Sequence, residues 1–158
     1  MNYTKVDEKE YEGIKDYCFK FEVEDAWYNP KHTVTIMNTG IVFLYHFEKG
    51  LFKTEIPADL VQEVFERVNN DCFYDTDFRL EQLDGIVLDG LIHEIEFKVT
   101  NRECLFHIPH LDAYGEYVYD SMSFAETYPH ISILINLIDD IKELLSDYVE
   151  EWYFQLDY

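Results

Sequence analysis

With 158 residues, 47% of them hydrophobic and 28% charged, the chain is sized for one globular domain whose core needs no disulfide or metal staple. Twelve Lys and Arg stand against 33 Asp and Glu, a net charge of −21, which argues against direct binding to nucleic acid or an anionic membrane and favours partners with basic surfaces. The three cysteines, Cys18, Cys72 and Cys104, form no C-x-x-C and no closed disulfide framework, and the N-terminus lacks the basic and apolar regions of a secretory signal, so a reducing cytoplasm is the expected setting.

Asp7 followed by Glu10 reads as an N-cap with its capping-box partner. Tyr11, Ile14, Tyr17 and Cys18 then share a helical face, which predicts a short helix over about 8–17. The period changes to two where Phe19, Phe21 and Val23 alternate with Lys20, Glu22 and Glu24, a half-buried strand closed by the Asn29-Pro30 turn. The β-branched run from Val34 to Met37, the strongly apolar run from Ile41 to Phe47 and the run from Leu51 to Ile56 follow as strands. They are joined by Asn38-Thr39-Gly40 and Glu48-Lys49-Gly50, loops that want Gly at positive φ. These strands form an antiparallel meander.

Pro57 opens a helix over 58–69 whose apolar face is Leu60, Val61, Val64, Phe65 and Val68. Residues 71–84 are irregular and acidic. Leu91, His93, Ile95, Phe97 and Val99 alternate with Ile92, Glu94, Glu96 and Lys98 as another strand, and Cys104, Phe106 and Ile108 return as its hairpin partner up to Pro109. From Asp112 to Tyr128 neither period holds, although Tyr114, Tyr117, Tyr119, Phe124 and Tyr128 are concentrated there. Ile131, Leu134, Ile138, Ile141, Leu145, Tyr148 and Trp152 then recur at steps of three and four, predicting a helix over 130–152. The fold expected is α+β: an antiparallel sheet of about five or six strands, a meander plus a hairpin, covered by two main helices and preceded by a short one.

Chemical motifs are weak by comparison. Asp71, Asp75 and Asp77 lack the spacing of a calcium loop and read as side chains capping local backbone. Cys104, His107, His110 and Asp112 are zinc-compatible types, but Pro109 interrupts the helix that would put the two histidines on one face. His93-Glu94 is no H-E-x-x-H, because Phe97 stands where the second histidine belongs. No serine sits in G-x-S-x-G, no glycine-rich loop cradles a phosphate, and a Cys/His pair such as Cys104 with His107 reads more simply as a buried strand cysteine beside a histidine. No catalytic residue, metal or cofactor is therefore assigned.

The last predicted helix carries Asp140, Glu143, Asp147, Glu150 and Glu151 on its polar side, with Lys142 as its only cation. Like charges at that spacing, toward the end where the helix dipole prefers cations, trade local stability for a row of anions. The expected function is a non-enzymatic acidic inhibitor that imitates nucleic-acid charge and occupies the basic surface of a nuclease or another nucleic-acid-binding enzyme. A phage anti-defence protein such as an anti-CRISPR and an immunity protein of a nuclease toxin both fit. Tyr117 and Tyr119, which flank Val118 and share one face if extended, would add aromatic anchors. The alternatives are a small metal-dependent enzyme using Asp75, Asp77, His93, His107 or His110, and a housekeeping domain that homodimerises through its aromatics.

Overall fold

A computed structural model describes residues 1–82, 90–114 and 121–157. Among them, seven strands make one antiparallel sheet in the order β1-β5-β4-β3-β2-β6-β7. The strands are β1 (Thr4–Lys5), β2 (Tyr17–Glu24), β3 (Pro30–Met37), β4 (Ile41–His46), β5 (Gly50–Glu55), β6 (Ile92–Val99) and β7 (Arg102–Pro109). The helices are α1 (Glu8–Tyr11), α2 (Ala58–Val68), α3 (Leu111–Tyr114), α4 (Ser121–Thr127) and α5 (Pro129–Leu144). The α+β class and the meander-plus-hairpin plan are as expected, and the sheet is one strand wider than the upper expectation. The added strand, β1, has two residues, too few to show a period.

Register explains the core. Phe21 pairs with Val34 and with Ile95, and Phe19 with Ile36 and Phe97, so these side chains stand in rows on one face of the sheet. Val61, Val64 and Val68 of α2 and Ile131, Leu134, Ile138 and Ile141 of α5 are buried in the same cluster. Each such side chain contributes about 1.5–3 kcal/mol on burial. A smaller cluster of Val6, Phe43 and Leu51, with Tyr11 and Ile14 against it, forms on the opposite face. Among the described residues no helix covers the β2-β6-β7 part of that second face.

Two helix boundaries differ from expectation. The first helix stops at Tyr11, because Gly13 at φ +76° turns the chain, and Tyr17 and Cys18 open β2 instead. Asp7 does cap Lys9 N–H at 3.1 Å, but the Glu10 carboxylate goes to Lys53 at 2.5 Å. The last helix ends at Leu144 rather than near Trp152. A helix of that full length would run about 35 Å, longer than the ~27 Å of an eight-residue strand beneath it. The chain instead makes tight turns, with Tyr148 and Val149 N–H both on the Leu145 carbonyl, and then a 3₁₀ turn at Glu151–Phe154. That reversal buries Val149, Tyr153 and Phe154 and leaves Tyr148 and Trp152 half-buried. The aperiodic stretch after Asp112 holds α3 and α4, with Tyr114 and Tyr128 buried edge to face, 5.0 Å between centroids.

Two buried histidines hold the end of the chain to the sheet. Leu111 N–H donates to His93 Nδ1 at 3.2 Å, which makes Nε2 the protonated nitrogen and the donor to the Leu156 carbonyl at 2.6 Å. His32 meets the Tyr153 and Asp157 carbonyls at 3.0 and 3.1 Å. No helix among the described residues is long and apolar enough to cross a membrane.

Candidate functional site

The carboxylates expected to form one helical row are divided by the end of α5. Asp140 and Glu143 lie exposed in its last two turns, whereas Asp147, Glu150 and Glu151 follow in the turns beyond it. Asp139, Lys142, Glu143, Ser146 and Glu151 meet around a shallow depression of about 360 Å³. Asp140 faces a different groove, between α2 and α5, beside Glu66 and Arg67. Glu150 is turned inward: its N–H donates to Tyr3 Oη at 2.9 Å, and the Trp152 indole N–H donates to its carboxylate. Lys142 reaches Asp139 at 3.4 Å, and among the described residues none of Asp140, Glu143, Asp147, Glu150 and Glu151 forms an ion pair. Tyr117 and Tyr119 lie outside the described residues.

A second acidic surface was not singled out from the sequence. The uncovered face of β2, β6 and β7 carries the polar half of each alternating strand. Glu22 of β2 pairs across with Thr33 on one side and Glu94 on the other, and Glu94 pairs with His107. Glu24 stands two residues along β2 on the same face. One oxygen from each of Glu22, Glu24 and Glu94 lies within 4.8 Å of the others. Lys20 approaches Glu22 at 3.4 Å, and His107 Nδ1 is 3.0 Å from Glu94 Oε1. Glu24 is only 9% exposed. Burial first, and then the neighbouring charges of Glu22 and Glu94, push its carboxyl up to about 7. Beside this cluster runs a groove of about 580 Å³ roofed by α1, with Tyr11, Tyr45 and Leu51 on its apolar side and Lys20, Glu22 and Thr33 on its polar side.

The β2–β3 hairpin supplies exposed aromatics. Asp25 accepts N–H groups from Trp27 at 2.9 Å and Asn29 at 3.0 Å, and Tyr28 takes φ +64°. The tip is thus fixed with Trp27 84% and Tyr28 67% exposed. This end of the sheet also carries the 3₁₀ turn with Glu151, since His32 of β3 bonds the Tyr153 carbonyl and His46 of β4 packs on Trp152 at 5.0 Å.

The chemical alternatives are only partly assembled. Cys104 points to the helix-covered face and bonds the Phe73 carbonyl at 3.5 Å, while His107, three residues on, points to the open face, so they are no nucleophile–base pair. His93 is in the core with both ring nitrogens engaged, on the side of the sheet opposite His107. His110 packs against Gly90, where an added Cβ would lie 1.7 Å from Nδ1. Asp75 caps Asp77 N–H at 2.9 Å and Asp71 pairs with Arg102 at 2.7 Å. Of the metal-enzyme candidates Asp75, Asp77, His93, His107 and His110, His93 and His110 stand close together beside Asp112, whose Oδ1 is 3.9 Å from His93 Nε2, while Asp75, Asp77 and His107 lie elsewhere. No protein-family model matches the chain, and no curated protein matches it in sequence.

Proposed function

We propose that the protein is a non-enzymatic acidic inhibitor that binds the basic surface of a nucleic-acid-handling protein, as a phage anti-defence protein such as an anti-CRISPR or an immunity protein of a nuclease toxin would. One observation carries the reading: Asp140, Glu143, Asp147 and Glu151 stand exposed around the C-terminal end of α5, and none forms an ion pair among the described residues. The backbone carbonyls there already present partial negative charge, so each added carboxylate costs about 0.3–1 kcal/mol unless a cation arrives. A row of Arg and Lys that normally receives phosphates supplies that cation, with fast and salt-sensitive association. Trp27 and Tyr28, fixed on the same end of the sheet as Glu151, would give the contact its desolvated centre.

The test is a panel of nucleases and nucleic-acid-binding enzymes, each assayed with and without the protein at low and high salt. Inhibition that falls with salt and is competed by catalytically inert duplex DNA is expected for at least one class. Asp140→Lys, Glu143→Lys and Glu151→Lys together should abolish it while the circular dichroism spectrum is kept. Inhibition that survives the triple reversal would overturn the reading.

A further inference from the structure

We propose that the outer edge of β7 is a self-complementary surface, where a second copy of the chain pairs antiparallel about a two-fold axis at Leu105 and continues the sheet. β7 ends the strand order, so among the described residues only its inner side is paired. Hydrogen-bond parity shows which residues face outward. In an antiparallel ladder, opposed residues alternate between exchanging both backbone hydrogen bonds and exchanging none. His110 N–H donates to the Leu91 carbonyl at 2.8 Å, and the register carries that inward pattern to Ile108, Phe106, Cys104 and Arg102. Glu103, Leu105 and His107 therefore turn their N–H and C=O groups outward. Pro109, the next outward position, has no N–H to donate.

Natural sheets guard such an edge by shortness, by bulges or by charge. At the opposite edge β1 has only two residues. β7 has eight, all paired in register with β6, and the middle one of its outward positions is Leu105, 63% exposed. It holds one Arg and one Glu, so its formal charge is zero on a chain of −21. Two copies can meet there without setting acid against acid.

The residues around Leu105 match one another when the strand is reversed. An isologous contact sets the same patch against itself. With Leu105 on the axis, Leu105 meets Leu105 of the second copy, and Glu103 meets its His107, all on the open face of the sheet. On the covered face Cys104 meets the second copy's Phe106, and both are half-buried at this edge. The single chain leaves the polar groups ready. Glu103 forms no ion pair among the described residues, and its cross-strand neighbour Lys98 goes to Glu96 at 3.6 Å. His107 holds Glu94 through Nδ1, which leaves Nε2 for the second copy's Glu103. An axis one residue earlier sets Leu105 against Glu103. One residue later it sets Glu103 against Pro109. Only the Leu105 axis joins both the apolar pair and the charged pair.

One strand pair must overcome the repulsion of two strongly acidic chains, so salt should strengthen this contact. Salt weakens the proposed contact with a basic partner, so the two readings succeed or fail separately. The experiment is sedimentation equilibrium of the full chain in reductant, over micromolar to millimolar protein. A reversible monomer–dimer equilibrium is expected, tighter at least about threefold in 0.5 M than in 0.05 M potassium chloride. Leu105→Lys lowers the net repulsion yet sets two ammonium groups together on the axis, so it should weaken the dimer at least about fivefold. Its circular dichroism should match the wild type, because the side chain is exposed. Leu105→Cys, oxidised without reductant, should link to itself at least about tenfold faster than Trp27→Cys, the more exposed control. A monomer throughout would leave the edge to a strand from another protein and overturn the proposal. So would a dimer indifferent to Leu105→Lys, or equal cross-linking of the two cysteine variants.

Discussion

The two acidic surfaces carry the same kind of charge in opposite ways. Around the end of α5 the carboxylates are exposed, held by turns, and spread over two depressions. On the open sheet face three partly buried carboxylates are drawn within 4.8 Å of one another. Water and salt screen the first set, so its cost to folding is small and its field reaches outward to steer a large basic partner. The second set is closely spaced and only partly in solvent, so its repulsion falls on the sheet itself and on the Glu24 carboxyl. Net charge alone does not separate these cases; burial and spacing do.

The two surfaces should respond differently to loss of charge. If the α5 end is the partner surface, the triple reversal of Asp140, Glu143 and Glu151 to Lys should weaken inhibition of a sensitive nuclease by at least about 100-fold, as expected for central charges facing basic groups. Glu22→Gln, Glu24→Gln and Glu94→Gln together should change the same inhibition less than about twofold, because they lie on the other side of the sheet. A loss in the second variant equal to the first would show that both faces serve one undivided electrostatic surface. Trp27→Ala should fall between, weakening inhibition about tenfold or more with a stability change under about 0.5 kcal/mol, since the indole is 84% exposed and packs little in the free protein.

Stability gives the next largest contrast. The carboxyl of Glu24 sits above its ordinary value in the folded protein, at about 7. Its stabilising protonation is fully present below the unfolded value near 4.5 and is lost as pH rises through about 7. Glu24→Gln removes that loss. The variant should be more stable than wild type at pH 8, and the gap should close as pH falls to 4.5. Urea denaturation at several pH values measures it. A wild-type protein as stable as the variant at pH 8 would show that the cluster is not under charge strain.

Much of this was legible in the chain, and the residues that were not share a cause. The alternation of Phe19, Phe21 and Val23 with Lys20, Glu22 and Glu24, and of Ile95 and Phe97 with Glu94 and Glu96, marks both faces of β2 and β6. It does not reveal that the two strands are neighbours, since Glu22 and Glu94 are far apart in sequence and meet only through the ladder. The same limit hid the exposure of Trp27 and Tyr28, which depends on how the Asp25 carboxylate closes the hairpin. The end of α5 was hidden for another reason: Leu145, Val149 and Tyr153 keep a helical spacing through a segment that turns back, so apolar period alone cannot locate the break. The acidic residues crowding that point were the physical hint, because carboxylates disfavour continuation of a helix at its negative end. The opposite faces of Cys104 and His107, in contrast, follow from strand parity, which was readable without a structure.

That reading of the helix end yields the smallest effect and the finest discrimination. Glu143 lies in the last turn of α5, exposed, next to Lys142 and following Asp139 and Asp140. Glu143→Lys replaces repulsion of the terminal carbonyls by attraction and leaves the buried side of the helix untouched, so it should stabilise the protein by about 0.3–1 kcal/mol in low salt. The gain should shrink in 1 M salt, where the screening length falls to about 3 Å. Set beside Glu24→Gln, whose gain should depend on pH much more than on salt, it separates screened surface charge from partly buried charge in one pair of melting curves. A Glu143→Lys variant less stable than wild type would mean that this carboxylate makes a favourable local contact, and the charge at the end of α5 could no longer be read as held in reserve for a partner.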